Sequence, residues 1–161
     1  MVKTTLRMGT GAGGTRNIAG TNHPVVTLER ELADLHDKEA ALAFTSGYVS
    51  NQAGFSTIAS LIPDCLILSD ALHHNSMIEG VGQSGMEKQI WRHNDTGHLE
   101  RLLTAAEPRR PKLIVFESLY AMDGDLAPIE RICPRRALLA MTYCDEVYAV
   151  GMAARRRRGS A

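Results

Sequence analysis

The sequence predicts an α/β fold with a mostly parallel sheet and flanking helices. Short apolar runs of strand length recur at Cys65–Leu68, Leu113–Phe116 and Ala140–Tyr143. Between them lie segments with helical spacing of apolar residues, as in the stretch after Asp95, where Leu99, Leu102 and Leu103 share one face. Cys65–Leu68 and Leu113–Phe116 are apolar throughout and read as buried strands.

The elements follow in order. Residues 9–14, GTGAGG, form a glycine-rich loop. Val25 to His36 carries Leu28, Leu32 and Leu35 at helical spacing with charges between them. Ala41–Phe44 reads as a short strand. Ser46-Gly47 then turns into a helix over Tyr48–Leu61, which Pro63 ends. Cys65–Leu68 is a buried strand, His74–Gln83 a short helix and Lys88–Trp91 another strand. Asp95 supplies a cap for the helix that runs to Ala106. After the Leu113–Phe116 strand, a turn at Asp123-Gly124 leads to Pro128, whose fixed φ suits a first helical residue. Ala140–Tyr143 is the last strand, and Asp145 follows it closely.

Composition narrows the function classes. The 161 residues suffice for about one domain, expected to span 1–151 with a separate basic tail at 152–161. Basic and acidic residues balance at 18 each, which argues against nucleic acid or an anionic membrane as the main partner. The run Arg155–Arg158 reads as a solvated tail. Cys65, Cys133 and Cys144 are odd in number and lack metal or redox spacing, so reduced thiols in a cytoplasmic protein are expected. No apolar run approaches the roughly 20 residues of a membrane span.

In parallel sheets, ligands bind beyond the carboxyl ends of the strands. Three polar clusters fall there: Thr45-Ser46-Gly47, Ser69-Asp70 leading to His73-His74, and Cys144-Asp145-Glu146. A glycine at a helix start lets an anion approach free N–H groups and the positive end of the helix dipole; a serine-capped tight turn is the plainer account. Asp145 can pair with a protonated ring nitrogen or serve as a cap. His74 can stack on a flat ring or lie at a surface. His73, His93 and His98 show no pattern beyond ordinary histidines.

Taken together, these stretches resemble the α-oxoamine synthases, a family of fold-type-I enzymes dependent on pyridoxal phosphate. The resemblance runs through GTGAGGTRNIAGTNHPVVTLERELADL (9–35), FTSGYVSNQAG (44–54), LSDALHHNSMIEG (68–80), IWRHND (90–95), VFESLYAMDGDLAPIE (115–130) and TYCDEVYAVG (142–151). It implies the large domain of a homodimeric enzyme that joins an amino acid to an acyl-CoA. Backbone groups of Gly47 and Tyr48 would hold the cofactor phosphate, His74 would stack on its ring, and Asp145 would pair with the ring nitrogen. Ser69 and Lys88 match positions that contact the acyl-CoA. Thr15 and Asn17 favour the 5-aminolevulinate synthase branch, where the matching pair contacts the succinyl carboxylate. That branch makes 5-aminolevulinate from glycine and succinyl-CoA, a step toward tetrapyrroles and heme. Sister enzymes, glycine C-acetyltransferase and 8-amino-7-oxononanoate synthase, stand as alternatives, as does a non-catalytic dimerisation or cofactor-binding module.

The sequence also departs from the family. Ala121 stands where the family has a serine, and Tyr148 where it has a histidine; both family residues contact the cofactor's phenolic oxygen, which Tyr148 is still expected to reach. Residues 133–139 replace a charged helix with a segment containing Pro134, and Arg155–Arg158 replace a glycine-rich run. The expected origin is a coding frame that slips and recovers near 133 and slips again near 152. The lysines, Lys3, Lys38, Lys88 and Lys112, lie outside the family's Schiff-base motif. The chain is therefore expected to be a fragment, inactive alone, that binds the cofactor weakly and without a covalent bond.

Overall fold

The computed structural model describes residues 2–11, 13–133 and 139–152. The expected aberrant blocks fall largely outside them, at 134–138 and 153–161. By compactness the chain forms two units, Met1–Ala43 and Phe44–Ala161.

The first unit contains α1 (Val2–Met8), a π-helical turn at Arg16–Gly20 and α2 (His23–His36). Asn22 caps α2, its side chain accepting the Val25 N–H at 3.3 Å. Pro24 fits the first turn, where its missing N–H leaves no helical bond unmade. Glu29 receives the Arg16 guanidinium and also accepts the Ala43 N–H at 2.8 Å, so one carboxylate ties the π-helical turn and the last residue of this unit to α2.

The second unit holds the sheet. Strands β1 (Leu66–Asp70), β2 (Lys88–Trp91), β3 (Lys112–Glu117) and β4 (Ala140–Asp145) run parallel in the order β2-β1-β3-β4. The sequence expectation of an α/β fold with a parallel sheet holds. Side chains alternate between the two faces along each strand. Leu66, Leu68, Ile114 and Phe116 join Trp91, Leu99, Leu103 and Ile132 on one side. Cys65, Ile67, Leu113 and Val115 join Phe55, Ala59, Met77 and Val81 on the other. Both faces are covered, which is why these strands read as unbroken apolar runs.

On the second face, α3 (Gly47–Val49), a π-helical segment (Ser50–Phe55) and α4 (Ser56–Leu61) form one continuous helix beside α5 (Asn75–Gln83). Their close approach requires Gly80: a Cβ there would meet the Asn51 carbonyl oxygen at 2.9 Å. α6 (Thr96–Ala105) starts at Asp95, whose side chain accepts the His98 N–H at 2.8 Å. The turn expected near Asp123 closes at Gly124, whose φ of +72° lies in the left-handed region glycine tolerates. α7 (Ile129–Ile132) begins one residue later than expected, with Pro128 as its cap.

One expected element is absent. Ala41–Phe44 forms no strand in the structure. Isolated strands are not stable, and the four sheet strands pair among themselves without reaching this run. Leu42 stays 63% exposed, so the apolar pattern there reflects no sheet contact.

Candidate functional site

The strand order reverses direction at β1, which lies between β2 and β3 although it precedes both in the chain. Beyond the carboxyl ends of β1, β3 and β4 opens a cleft of about 350 Å³. Its walls come from four stretches: Gly47, Tyr48, Ser50 and Asn51; His74 and Ser76; Glu117; and Asp145, Val147 and Tyr148. A cleft at a strand-order switch is where ligands of open α/β sheets bind.

Gly47 and Tyr48 open the long helix. Ser46 caps it, accepting the Val49 N–H at 3.2 Å on its hydroxyl and the Ser50 N–H at 3.0 Å on its carbonyl. The first-turn N–H groups have no acceptor within the helix by position, and a Cβ on Gly47 would meet nothing within 4 Å. An anion can therefore reach these donors at the positive end of the helix.

His74 is the N-cap of α5. Its Nδ1 accepts the Ser76 N–H at 3.2 Å and lies 2.7 Å from the Ser76 hydroxyl. An accepting Nδ1 puts the proton of the neutral ring on Nε2. The ring is exposed and meets Tyr48 edge-on, with centroids 6.1 Å apart. The Tyr48 hydroxyl accepts from Asn75 Nδ2 at 3.0 Å, which fixes the tyrosine.

Asp145 ends β4. Its Oδ1 accepts the Val147 N–H at 2.9 Å and its Oδ2 accepts Asn51 Nδ2–H at 2.7 Å. Its backbone carbonyl accepts both the N–H and the hydroxyl of Ser118, at 2.9 and 3.2 Å. Glu117 at the end of β3 is buried and accepts the His74 N–H. Burial pushes the Glu117 carboxyl above the usual carboxylate range; the His74 N–H opposes this and the Asp145 charge reinforces it.

Five residues expected from the sequence thus meet in one cleft: Gly47, Tyr48, His74, Asp145 and Tyr148. Ser69 is buried, its hydroxyl 3.0 Å from His73 Nε2, and Lys88 is exposed at the start of β2; neither lines the cleft. Thr15 and Asn17 are exposed residues of the first unit, at its π-helical turn. Ala121 is exposed and does not line the cleft, whereas Tyr148 does. Sequence reasoning missed Asn51, Ser76 and Glu117 as cleft residues. No helix among the described residues is long and apolar enough to cross a membrane, and no group of side chains among them could hold a metal ion.

This donor set suits a flat, phosphate-bearing cation: anion donors at a helix start, an exposed imidazole face, and a carboxylate held open to the cleft. The chain is 69% identical to a 5-aminolevulinate synthase of Bradyrhizobium diazoefficiens, over 94% of this chain and 37% of that one. It is 60% identical to a 5-aminolevulinate synthase of Rhizobium meliloti, over 89% of this chain and 36% of that one. The chain thus spans less than two-fifths of these relatives' length. Among solved structures, serine palmitoyltransferase of Sphingomonas wittichii superposes with a TM-score of 0.91 at 29% identity, covering 98% of this chain and 39% of that one. The enzyme of S. paucimobilis with bound PLP and myriocin superposes with a TM-score of 0.87 at 30% identity, covering 98% and 41%. The profile of class I and II aminotransferases matches residues 1–159. By this match over nearly its whole length, and by fold, the chain belongs to the class I and II aminotransferase family.

Proposed function

We propose that the chain is the cofactor-binding part of a pyridoxal-phosphate-dependent acyltransferase of the 5-aminolevulinate synthase type, which joins glycine to succinyl-CoA with loss of CoA and carbon dioxide in the cytoplasm. The observation that carries this is the meeting of Gly47, Tyr48, His74 and Asp145 around one cleft. Identities of 69% and 60% to 5-aminolevulinate synthases favour that branch over the sister acyltransferases.

The N–H groups of Gly47 and Tyr48 would hold the phosphate, and the His74 imidazole would stack on the ring. The Asp145 carboxylate would pair with the ring nitrogen and favour its protonated form. When bound, the cofactor would supply an electron sink. Tyr148 lines the same cleft and would offer its hydroxyl to the phenolic oxygen. Thr15 and Asn17 bind the succinyl carboxylate, and Ser69 and Lys88 the CoA portion, in the assembled homodimer.

None of Lys3, Lys38, Lys88 and Lys112 lines the cleft. Lys112 is buried at the start of β3, its Nζ donating to the carbonyls of Glu107 and Arg110, each at 2.9 Å. The described residues would therefore hold the cofactor without providing the amine that captures it. The lack of a lysine at the cleft among the described residues favours a second reading, a non-catalytic cofactor-binding or dimerisation module. Titration of the purified chain with pyridoxal phosphate tests the main reading. Weak, reversible binding that Asp145→Ala weakens further is expected. Tight binding untouched by that change, or an absorbance band abolished by replacing one of the four lysines, would refute it. Mixed oligomers with an intact 5-aminolevulinate synthase, without cofactor binding, would favour the module.

A further inference from the structure

Asn51 is the most connected side chain of the cleft. It sits in the π-helical segment Ser50–Phe55 and is 8% exposed. All of its amide atoms are engaged. Oδ1 accepts the Tyr143 hydroxyl at 3.1 Å, while Nδ2 donates to Asp145 Oδ2 at 2.7 Å and to Ser76 Oγ at 3.0 Å. A carboxylate only accepts, so the nitrogen must face Asp145, and the Tyr143 hydroxyl holds the amide in that sense. Burial raises the Tyr143 hydroxyl to about 12, which keeps it a proton donor across the physiological range.

We propose that Asn51 is the positioning residue of this site: its amide locks the Asp145 carboxylate and joins it, through Ser76, to His74, so that the charge partner and the stacking face for a flat cationic heteroaromatic ring are held as one unit. The inference rests on the cofactor reading above and deepens it.

The geometry gives the reasons. The two Asp145 oxygens are held by separate donors, the Val147 N–H and the Asn51 amide, so the carboxylate cannot rotate without breaking a bond. Both donors are neutral, and Asp145 makes no ion pair among the described residues. A lysine or arginine at position 51 would orient the carboxylate equally well but would neutralise it, removing the charge that a cationic ring needs. An amide orients the carboxylate and leaves the charge in place. From Asn51 the network continues. Ser76 Oγ accepts from the amide and donates to His74 Nδ1 at 2.7 Å, which sets the plane of the imidazole. The local backbone serves the same end: π-helical segments turn side chains off the regular helical register, and Gly80 lets α5 approach until Ser76 reaches the amide.

The test uses 4′-deoxypyridoxine 5′-phosphate, which has the ring and phosphate of the cofactor but no aldehyde, so no lysine can capture it. Calorimetry reads its affinity, and nitrogen NMR of a labelled ring reads the protonation of the ring nitrogen. Asn51→Leu is expected to weaken binding about tenfold, the loss of one hydrogen bond to a charged group, and to release the ring proton at lower pH. Tyr143→Phe, which only frees the amide to turn, should produce the same two changes in smaller degree. Fluorescence of Trp91, which is fully buried, reports whether each variant folds; if Asn51→Leu does not fold, Tyr143→Phe decides. Unchanged affinity and ring protonation in the folded variants would overturn the proposal. A wild-type chain that does not bind the probe, or an Asp145→Asn variant that binds it normally, would overturn the cofactor reading instead.

Discussion

Raising the pH should loosen this protein through one side chain outside the cleft, His93. Its Nδ1 lies 2.9 Å from Asp70 Oδ1 and its Nε2 lies 2.8 Å from Asp125 Oδ2. Only an imidazolium donates from both nitrogens. Burial alone would lower the His93 pKa, but the bonds to Asp70 and Asp125 outweigh it and the net shift is upward. A folded-state pKa above the unfolded value of about 6.5 stabilises fully below that value, and the contribution is lost as pH rises through the raised value. The Asp70 side chain is fully buried, so its bond to the charged ring contributes about 2 kcal/mol. Asp125 is 42% exposed, so its pair adds at most about 1 kcal/mol. The neutral ring keeps one N–H donor, so deprotonation removes one of the two bonds, at most about 2 kcal/mol, which corresponds to a fall of roughly 4–8 °C in Tm for a chain of this size. Thermal melts followed by Trp91 fluorescence between about pH 6 and pH 9 read this directly. His93→Gln, which keeps one N–H donor but not the charge, should start lower and lose most of the slope. An unchanged slope in His93→Gln would refute the reasoning.

Gly80→Ala should destabilise the chain by about 1–3 kcal/mol, because its Cβ would press on the Asn51 carbonyl oxygen, a backbone atom with little room to yield; urea unfolding measures the loss, and a neutral result would show that the helices can separate at no cost. Translating the same DNA in the neighbouring frames should restore a charged helix after Cys133 and a glycine-rich run after Met152, and unrelated sequence in both places would refute the slipped frame.

The two central strands were legible because they are buried on both faces. Leu113–Phe116 needs no alternation to be recognised, and Lys88–Trp91 matches its expected bounds. The Asp95 cap was legible because its partner is three residues away. Ala41–Phe44 misled because four apolar residues do not show whether a partner strand exists. The cleft was legible in part, through residues that fall at strand ends or helix starts. What stayed hidden was set by long-range contacts. Asn51 meets Asp145 and Tyr143 across 94 and 92 residues of chain, so no local spacing announces it. His93 read as an ordinary histidine because its two carboxylates lie 23 and 32 residues away.

The cleft also shows how two carboxylates at neighbouring strand ends take different roles. Glu117 and Asp145 are register partners at the ends of β3 and β4. Two full charges placed side by side in a partly buried site repel, and the penalty falls hardest on the more buried carboxyl. Glu117 is 3% exposed, and its carboxyl rises above its ordinary range through burial first and the Asp145 charge in addition. It accepts the His74 N–H, so its place in the cleft is to hold the start of α5. Asp145 receives two neutral donors and faces the open side. The two carboxylates therefore make different contacts: Glu117 accepts the N–H at the start of α5, which carries the imidazole, and Asp145 takes the Asn51 amide and the Val147 N–H beside the cleft.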